Sequence, residues 1–199
     1  MLKITGSNFN IYDRKDKKAT IYLECVNDML FSQEVIKLSN YVHHYFTNRF
    51  QHSLNVSYYS YSLSKHFGWD HKSSARAGLL HDLYFFDNTS TDDGDTKLLD
   101  FHPYIALKNS QEAFELNEIE ENAIVNHMWP TYSDCNPKYK EAYLISFVDK
   151  YCATIEVVLG SLLLVKNTSI SILQKGYSPM LRSYYTAKQA CLNIASVFK

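Results

Sequence analysis

Glycine and proline are scarce in this chain, six and four among 199 residues. With so few breakers, and with apolar residues recurring mostly three and four apart, the pattern favours helices over strands throughout. Cysteine is also sparse. Cys25, Cys135, Cys152 and Cys191 form no C-x-x-C pair, which excludes a disulfide framework and a zinc knuckle and leaves reduced thiols. The longest apolar run, 157–165, is too short to span a bilayer and is interrupted by Gly160 and Ser161. The N-terminal MLKITGSNFNIYDRKDKK lacks the apolar core of a signal peptide. A cytoplasmic protein with no membrane partner is therefore expected. No charge of one sign dominates: 20 Lys and Arg stand against 21 Asp and Glu. The densest basic run is only 14–18, so a nucleic-acid polymer is not an expected partner, and a small molecule is.

What is present organises as one all-α domain over 1–199, a length that suits a single buried core. Residues 1–19 are polar and read as a loosely ordered arm before a helix starting near Thr20, and a second helical stretch covers 33–46. In 51–67 the positions His52, Val56, Tyr59 and Leu63 share a stripe, which turns His52 toward the core. Asp70 can cap the next helix, whose Ala75, Gly78, Leu79 and Asp82 share a face where the small residues let neighbouring helices come close. The pair His81-Asp82 is expected mid-helix, about 100° apart round the axis, so that both can reach one ion. The acidic stretch 87–100 reads as a loop and a candidate lid, and it lacks the ligand pattern of a calcium-binding EF-hand. His102-Pro103 looks like a helix start, and Asn117 with Glu120 like a capping box. The helix that follows carries His127 in its last turn before Pro130. Ala142, Ile145, Asp149, Cys152 and Glu156 recur at helical spacing, so Asp149 is an anion on an apolar stripe and needs a cation beside it. One or two further helices between Tyr151 and Phe198 carry no chemical signature.

The His-Asp dipeptide alone is uninformative, but the set His52, His81, Asp82, His102, His127 and Asp149 is a metal-ligand inventory. Imidazole and carboxylate without thiolate suit one or two divalent ions, Fe, Mn, Co, Zn or Mg, in a catalytic site. His52, His81, Asp82 and Asp149 would leave positions for water and substrate on a six-coordinate ion. His102 and His127 either hold a second ion with Asp82 bridging, or contact phosphate.

In this order the residues resemble the HD-domain metal-dependent phosphohydrolase superfamily. The likeness spans 50–156 and rests on FQHSLNVSYYSYSLSKHFGWDHKSSARAGLLHDL, HPYIAL, IVNHMWP and SFVDKYCATIE. The two extra histidines are most similar to the two-metal-capable branch that includes diadenosine-polyphosphate hydrolases. The resemblance implies a helical bundle and an enzyme, a phosphomonoesterase, phosphodiesterase or pyrophosphohydrolase, acting on a small phosphorylated molecule such as a nucleotide. The pair is followed by LYFFD, without the glycine and lysine of cyclic-di-GMP phosphodiesterases. It also lacks the glutamate that nucleotidases and guanosine-tetraphosphate hydrolases carry three residues on.

Further residues have two readings each. Asp87 is a candidate general base beside Asp82 or a loop cap. Arg49 and Lys150 stand where a phosphate could be gripped, Lys150 also as a catalytic cation, or are surface charges. Trp129 lines the substrate pocket or packs a helix terminus. His43, His44, His66 and His71 fit no ligand spacing and read as surface or helix-end groups. Sixteen tyrosines, with Tyr58, Tyr59 and Tyr61 on several faces of one helix, suggest core and interface packing, which admits a homodimer. Two other functions use the same residues: a di-iron oxygenase of the same fold, and a nucleotide-binding sensor without turnover.

Overall fold

The computed structural model describes residues 4–5, 16–43, 47–86 and 100–176, with backbone alone beyond 165. Over these residues the chain is helical: α1 (Lys17–Leu30), α2 (Gln33–Lys37), a 3-10 turn (Leu38–Asn40), α3 (Arg49–Phe67), α4 (His71–Leu80), α5 (His102–Ala113), α6 (Glu118–Val125) and α7 (Lys140–Gly176). A short hairpin interrupts them, β1 (Val42–His43) antiparallel to β2 (Thr47–Asn48), with His43 opposite Thr47. The chain divides into two compact units, Met1–Val157 and Val158–Lys199. No helix among the described residues is long and apolar enough to cross a membrane.

Side chains fix where the helices begin. Asn48 accepts from the Gln51 amide at 2.8 Å to start α3, and Asp70 accepts from the Ser73 amide at 3.0 Å to start α4. Asn117 and Glu120 form the expected capping box of α6. Gly68 ends α3 with φ +68°, a conformation that a side chain would strain.

The first unit is built round the α3–α4 pair. Ser53, Ser57, Ser60 and Ser64 are all buried along α3. Gly78 of α4 comes so close that a Cβ there would meet Ser57 Cα at 2.9 Å. Two of these hydroxyls have partners: Ser57 donates to Ala75 O at 2.7 Å and accepts from Tyr22 at 2.8 Å, and Ser64 Oγ lies 2.6 Å from Ser74 Oγ. On the far side of α4, Arg76 ties three segments together, through Glu120 at 2.8 Å, Asp28 at 2.6 Å and the Glu115 carbonyl at 2.9 Å. Tyr22, Val26 and Met29 of α1, Leu54 and Val56 of α3, Leu79 and Leu80 of α4, Ile124 of α6 and Ile145 of α7 are fully buried among them.

Several boundaries differ from the sequence reading. The helix expected over 33–46 stops at Lys37, after which Ser39-Asn40 and the β-favouring Tyr41, Val42 and Thr47 form the turn and hairpin. The first helix begins at Lys17, capped by Asp16. The arm before it is not wholly loose: Ile4 is buried and the Thr5 amide donates to Asn55 at 3.0 Å. His81-Asp82 lies past the end of α4, in a turn where Leu83 N donates to Leu80 O at 3.0 Å. Of the one or two further helices expected between Tyr151 and Phe198, the part up to Gly176 is a continuation of α7, and 177–198 lies outside the described residues.

Candidate metal centre

The turn after α4 aims His81. Its Nδ1 lies 2.9 Å from Gly78 O, which makes that nitrogen the N–H donor and leaves Nε2 with the lone pair. Nε2 is buried and has no hydrogen-bond partner. Asp149 Oδ1 at 3.6 Å and Asp82 Oδ2 at 3.8 Å face it from beyond bonding distance. A buried lone pair among carboxylates is costly unless a cation sits between them, and a divalent ion fits that description.

His52, fully buried in the first turns of α3, meets Asp149 from α7, with Nε2 3.0 Å from Oδ1. Its Nδ1 lies 3.1 Å from Glu156 Oε2, one helix turn pair beyond Asp149 on the same face. Glu156 is held in turn, its Oε1 accepting from Asn55 Nδ2 at 2.7 Å. Burial disfavours charge on His52, yet the bonds to Asp149 and Glu156 prevail and raise it to about 10 in the metal-free protein. Burial likewise opposes the Asp149 carboxylate, and the His52 and His81 imidazoles hold it well below its usual range. An ion at this point would take the place of the proton on Nε2 while Glu156 keeps the one on Nδ1.

Asp82 stands between this cluster and a second. Its Oδ2 faces His81, while its Oδ1 lies 3.5 Å from His102 Nε2 and 3.6 Å from His127 Nε2. The two Nε2 atoms are 2.9 Å apart. With metal–nitrogen bonds of about 2.1 Å, neighbouring ligands of one ion lie roughly 3.0–3.4 Å apart, so the donors are spaced for coordination. His127 is oriented as His81 is, Nδ1 against Ile124 O at 2.7 Å, which turns the Nε2 lone pair inward. Burial, and then the nearby His102 and His81, lower His127 to about 3 and keep it neutral. Burial opposes charge on Asp82 too, but the facing histidines hold it well below the ordinary carboxylate range. Ligand atoms of His52, His81 and Asp149, of His81, Asp82 and His127, and of His43, His52 and Asp82 lie within 4.8 Å of one another in each group.

The clusters open into a cavity of about 360 Å³, on whose walls lie Asp82, His102, His127, Asp149 and Lys150. Lys150 Nζ donates to His127 O at 3.0 Å and stands 3.9 Å from Asp149 Oδ2. Partial burial lowers its pKa against the pull of Asp149. Tyr84, Met128 and Tyr132 supply the apolar wall.

Three sequence assignments change. Arg49 does not reach the cavity: it is fully buried, donates to the carbonyls of Tyr84 at 2.7 Å and Phe86 at 3.0 Å, and lies 3.6 Å over the Tyr84 ring. It fastens the strand of chain that follows the His81-Asp82 turn. Trp129 is exposed and packs edge-on against Tyr143, leaving its place in the cavity wall to Tyr132. His43, expected at the surface or a helix end, is buried on the cavity wall. Glu156 was visible only as a second carboxylate on an apolar stripe. Asp87, the 87–99 part of the candidate lid and His44 lie outside the described residues. No family model, curated protein or solved structure matches the chain.

Proposed function

We propose that this chain is a metal-dependent phosphohydrolase of the HD-domain type, cleaving a phosphate ester or anhydride of a small molecule, with a nucleotide as the expected class. The observation that carries the reading is Asp82, whose two oxygens face two separate imidazole clusters, as a carboxylate shared by two ions would. Divalent ions bound there would supply an acidified water as nucleophile and polarise a phosphoryl oxygen. The remaining work falls to the chain itself. Glu156 and the Gly78 and Ile124 carbonyls hold the Nδ1 side of the imidazoles, so that their inward Nε2 nitrogens are aimed at the ion. Lys150 presents a cation from the cavity wall to the phosphoryl oxygens. Tyr84 and Tyr132 exclude water and face the organic part of the substrate. The cavity, about 360 Å³, is at the small end of ligand pockets and suits one small molecule.

A di-iron oxygenase would use the same donors, but a lysine on the wall favours an anionic phosphoryl group over a neutral substrate. The test is a panel of nucleotides and sugar phosphates with Mn(II), Fe(II), Co(II) or Mg(II), with free phosphate measured. Phosphate release that disappears in Asp82→Ala together with metal binding is expected. Substrate loss that consumes oxygen without phosphate would establish the oxygenase. Tight nucleotide binding without turnover under every metal would establish a sensor.

A further inference from the structure

The cavity contains one histidine more than the two clusters require. His43 reaches it from β1, is 5 % exposed, and lies with its ring on that of His52, centroids 3.9 Å apart and planes 30° from parallel. One of its nitrogens is within 4.8 Å of ligand atoms of His52 and Asp82, near enough to invite the reading of a further metal ligand.

The ring geometry argues otherwise. With a metal–nitrogen bond of about 2.1 Å, an imidazole centre sits roughly 3.3 Å from its ion. Two rings on one ion at angles of roughly 90–109° then have centres about 4.7–5.4 Å apart. His102 and His127, at 4.9 Å, and His52 and His81, at 5.4 Å, meet that requirement. His43 and His52, at 3.9 Å, fall short of that range, and near-parallel rings direct their nitrogens side by side instead of to one point. His43 is therefore stacked on a ligand.

Resting on the phosphohydrolase reading, we infer that His43 is a substrate-contacting residue whose ring N–H donates to a phosphoryl oxygen in the cavity. A neutral imidazole always carries one N–H, so the contact needs no change of charge. The stack on His52 and the antiparallel pairing of His43 with Thr47 hold the ring in a fixed pose, which makes it a directional donor. Lys150, on the same cavity, supplies charge without that directionality. Substrate would thus be oriented by the hairpin and neutralised from α7.

The experiment compares the wild type with His43→Phe, which keeps a stacking ring without a donor, and His43→Gln, which keeps a donor. Each protein is loaded with Mn(II), its metal content is measured by elemental analysis, and inorganic phosphate is titrated by calorimetry. Equal metal content in all three is expected, with phosphate affinity about 10–100-fold weaker in His43→Phe and largely kept in His43→Gln. Loss of an ion from His43→Phe would make His43 a ligand and overturn the inference, as would phosphate affinity equal to wild type. His43→Ala gives the same two readings if the phenylalanine variant does not fold. A wild type that holds Mn(II) yet binds no phosphate defeats the hydrolase reading itself, whereas unchanged affinity in the variants of a phosphate-binding wild type defeats this inference alone.

Discussion

Replacing Glu156 by Gln isolates how much of the candidate metal centre is set by a residue that would not touch the metal. Glu156 is buried, accepts from Asn55 Nδ2 at 2.7 Å and faces His52 Nδ1 at 3.1 Å. Asn55 is itself held by the Thr5 amide at 3.0 Å, so the carboxylate has little freedom to shift. Both partners of Glu156 are N–H donors, and a carboxylate can accept from both. An amide can accept from one, and must then turn its NH₂ toward the other, a donor against a donor. Either His52 loses the partner that fixes its ring and raises its basicity, or Asn55 lets the side chain go. Loss of such an outer partner weakens metal binding about 10–100-fold, or roughly 1.4–2.7 kcal/mol at 1.4 kcal/mol per tenfold. Competition with a chromophoric chelator measures it, on Mn(II) or Zn(II) at constant pH. Glu141→Gln is the control: Glu141 is equally buried but accepts from the Asp70 amide at 3.1 Å, away from the centre. Metal binding by Glu156→Gln within about a factor of two of wild type, or an equal loss in the Glu141 variant, would refute this role of Glu156.

Gly78→Ala drives a methyl into the α3 backbone and should destabilise by about 1–3 kcal/mol in urea unfolding; because the Gly78 carbonyl orients His81, metal affinity should fall in parallel. For the metal-stripped protein, His52 is raised to about 10, so it contributes stability that is complete below pH 6.5 and declines as pH rises toward 10. His127, lowered to about 3, acts on the other side: the unfolded chain takes up its proton first, and stability declines as pH falls from 6.5 toward 3. Melting temperature against pH should therefore show the contributions of these two groups peaking near pH 6.5, and His52→Gln should flatten the alkaline decline; a decline that survives the substitution would contradict the assignment. Arg49→Met orphans the buried Tyr84 carbonyl and frees the half-buried Phe86 carbonyl, and should cost about 1–3 kcal/mol, read by chemical denaturation. Weakened phosphate binding with unchanged stability would instead return Arg49 to the substrate. Lys150→Met should weaken phosphate binding by about tenfold while metal content stays constant, and loss of an ion would refute a substrate role.

The helices were legible because their signals are local. The Asn117–Glu120 box, the cap at Asp70 and the 142–156 stripe each depend on residues a few positions apart, and the structure has each of them. His52, His81, Asp82, His102, His127 and Asp149 come together as that pattern implied, since each is fixed near a helix end or on a buried face. What escaped depends on tertiary contact. Running a helical pattern through 33–46 hid the hairpin, and with it the way His43 enters the cavity. Arg49 and Lys150 look alike as cations beside ligands, but Arg49 falls on the buried side of α3 under the Tyr84 ring, while Lys150 stands at the cavity. The course of the chain after the His81-Asp82 turn likewise involves Arg49, which holds carbonyls 35 and 37 residues away. Glu156 had a local signal, an anion seven residues after Asp149 among apolar neighbours, whose meaning becomes plain once His52 lies between the two.

His52 and Asp149 are separated by 97 positions along the chain, and His52 and Glu156 by 104. An ion held between His52 and Asp149 would be in effect a removable cross-link that closes most of the first unit into a loop. For a covalent link closing roughly 100 residues, the chain-entropy treatment gives about 4.7 kcal/mol, a large fraction of the net stability of an ordinary domain. Metal supply would then govern the survival of the folded chain as well as its chemistry. Chelation should loosen even α1 and the segment at Thr5, neither of which supplies a ligand.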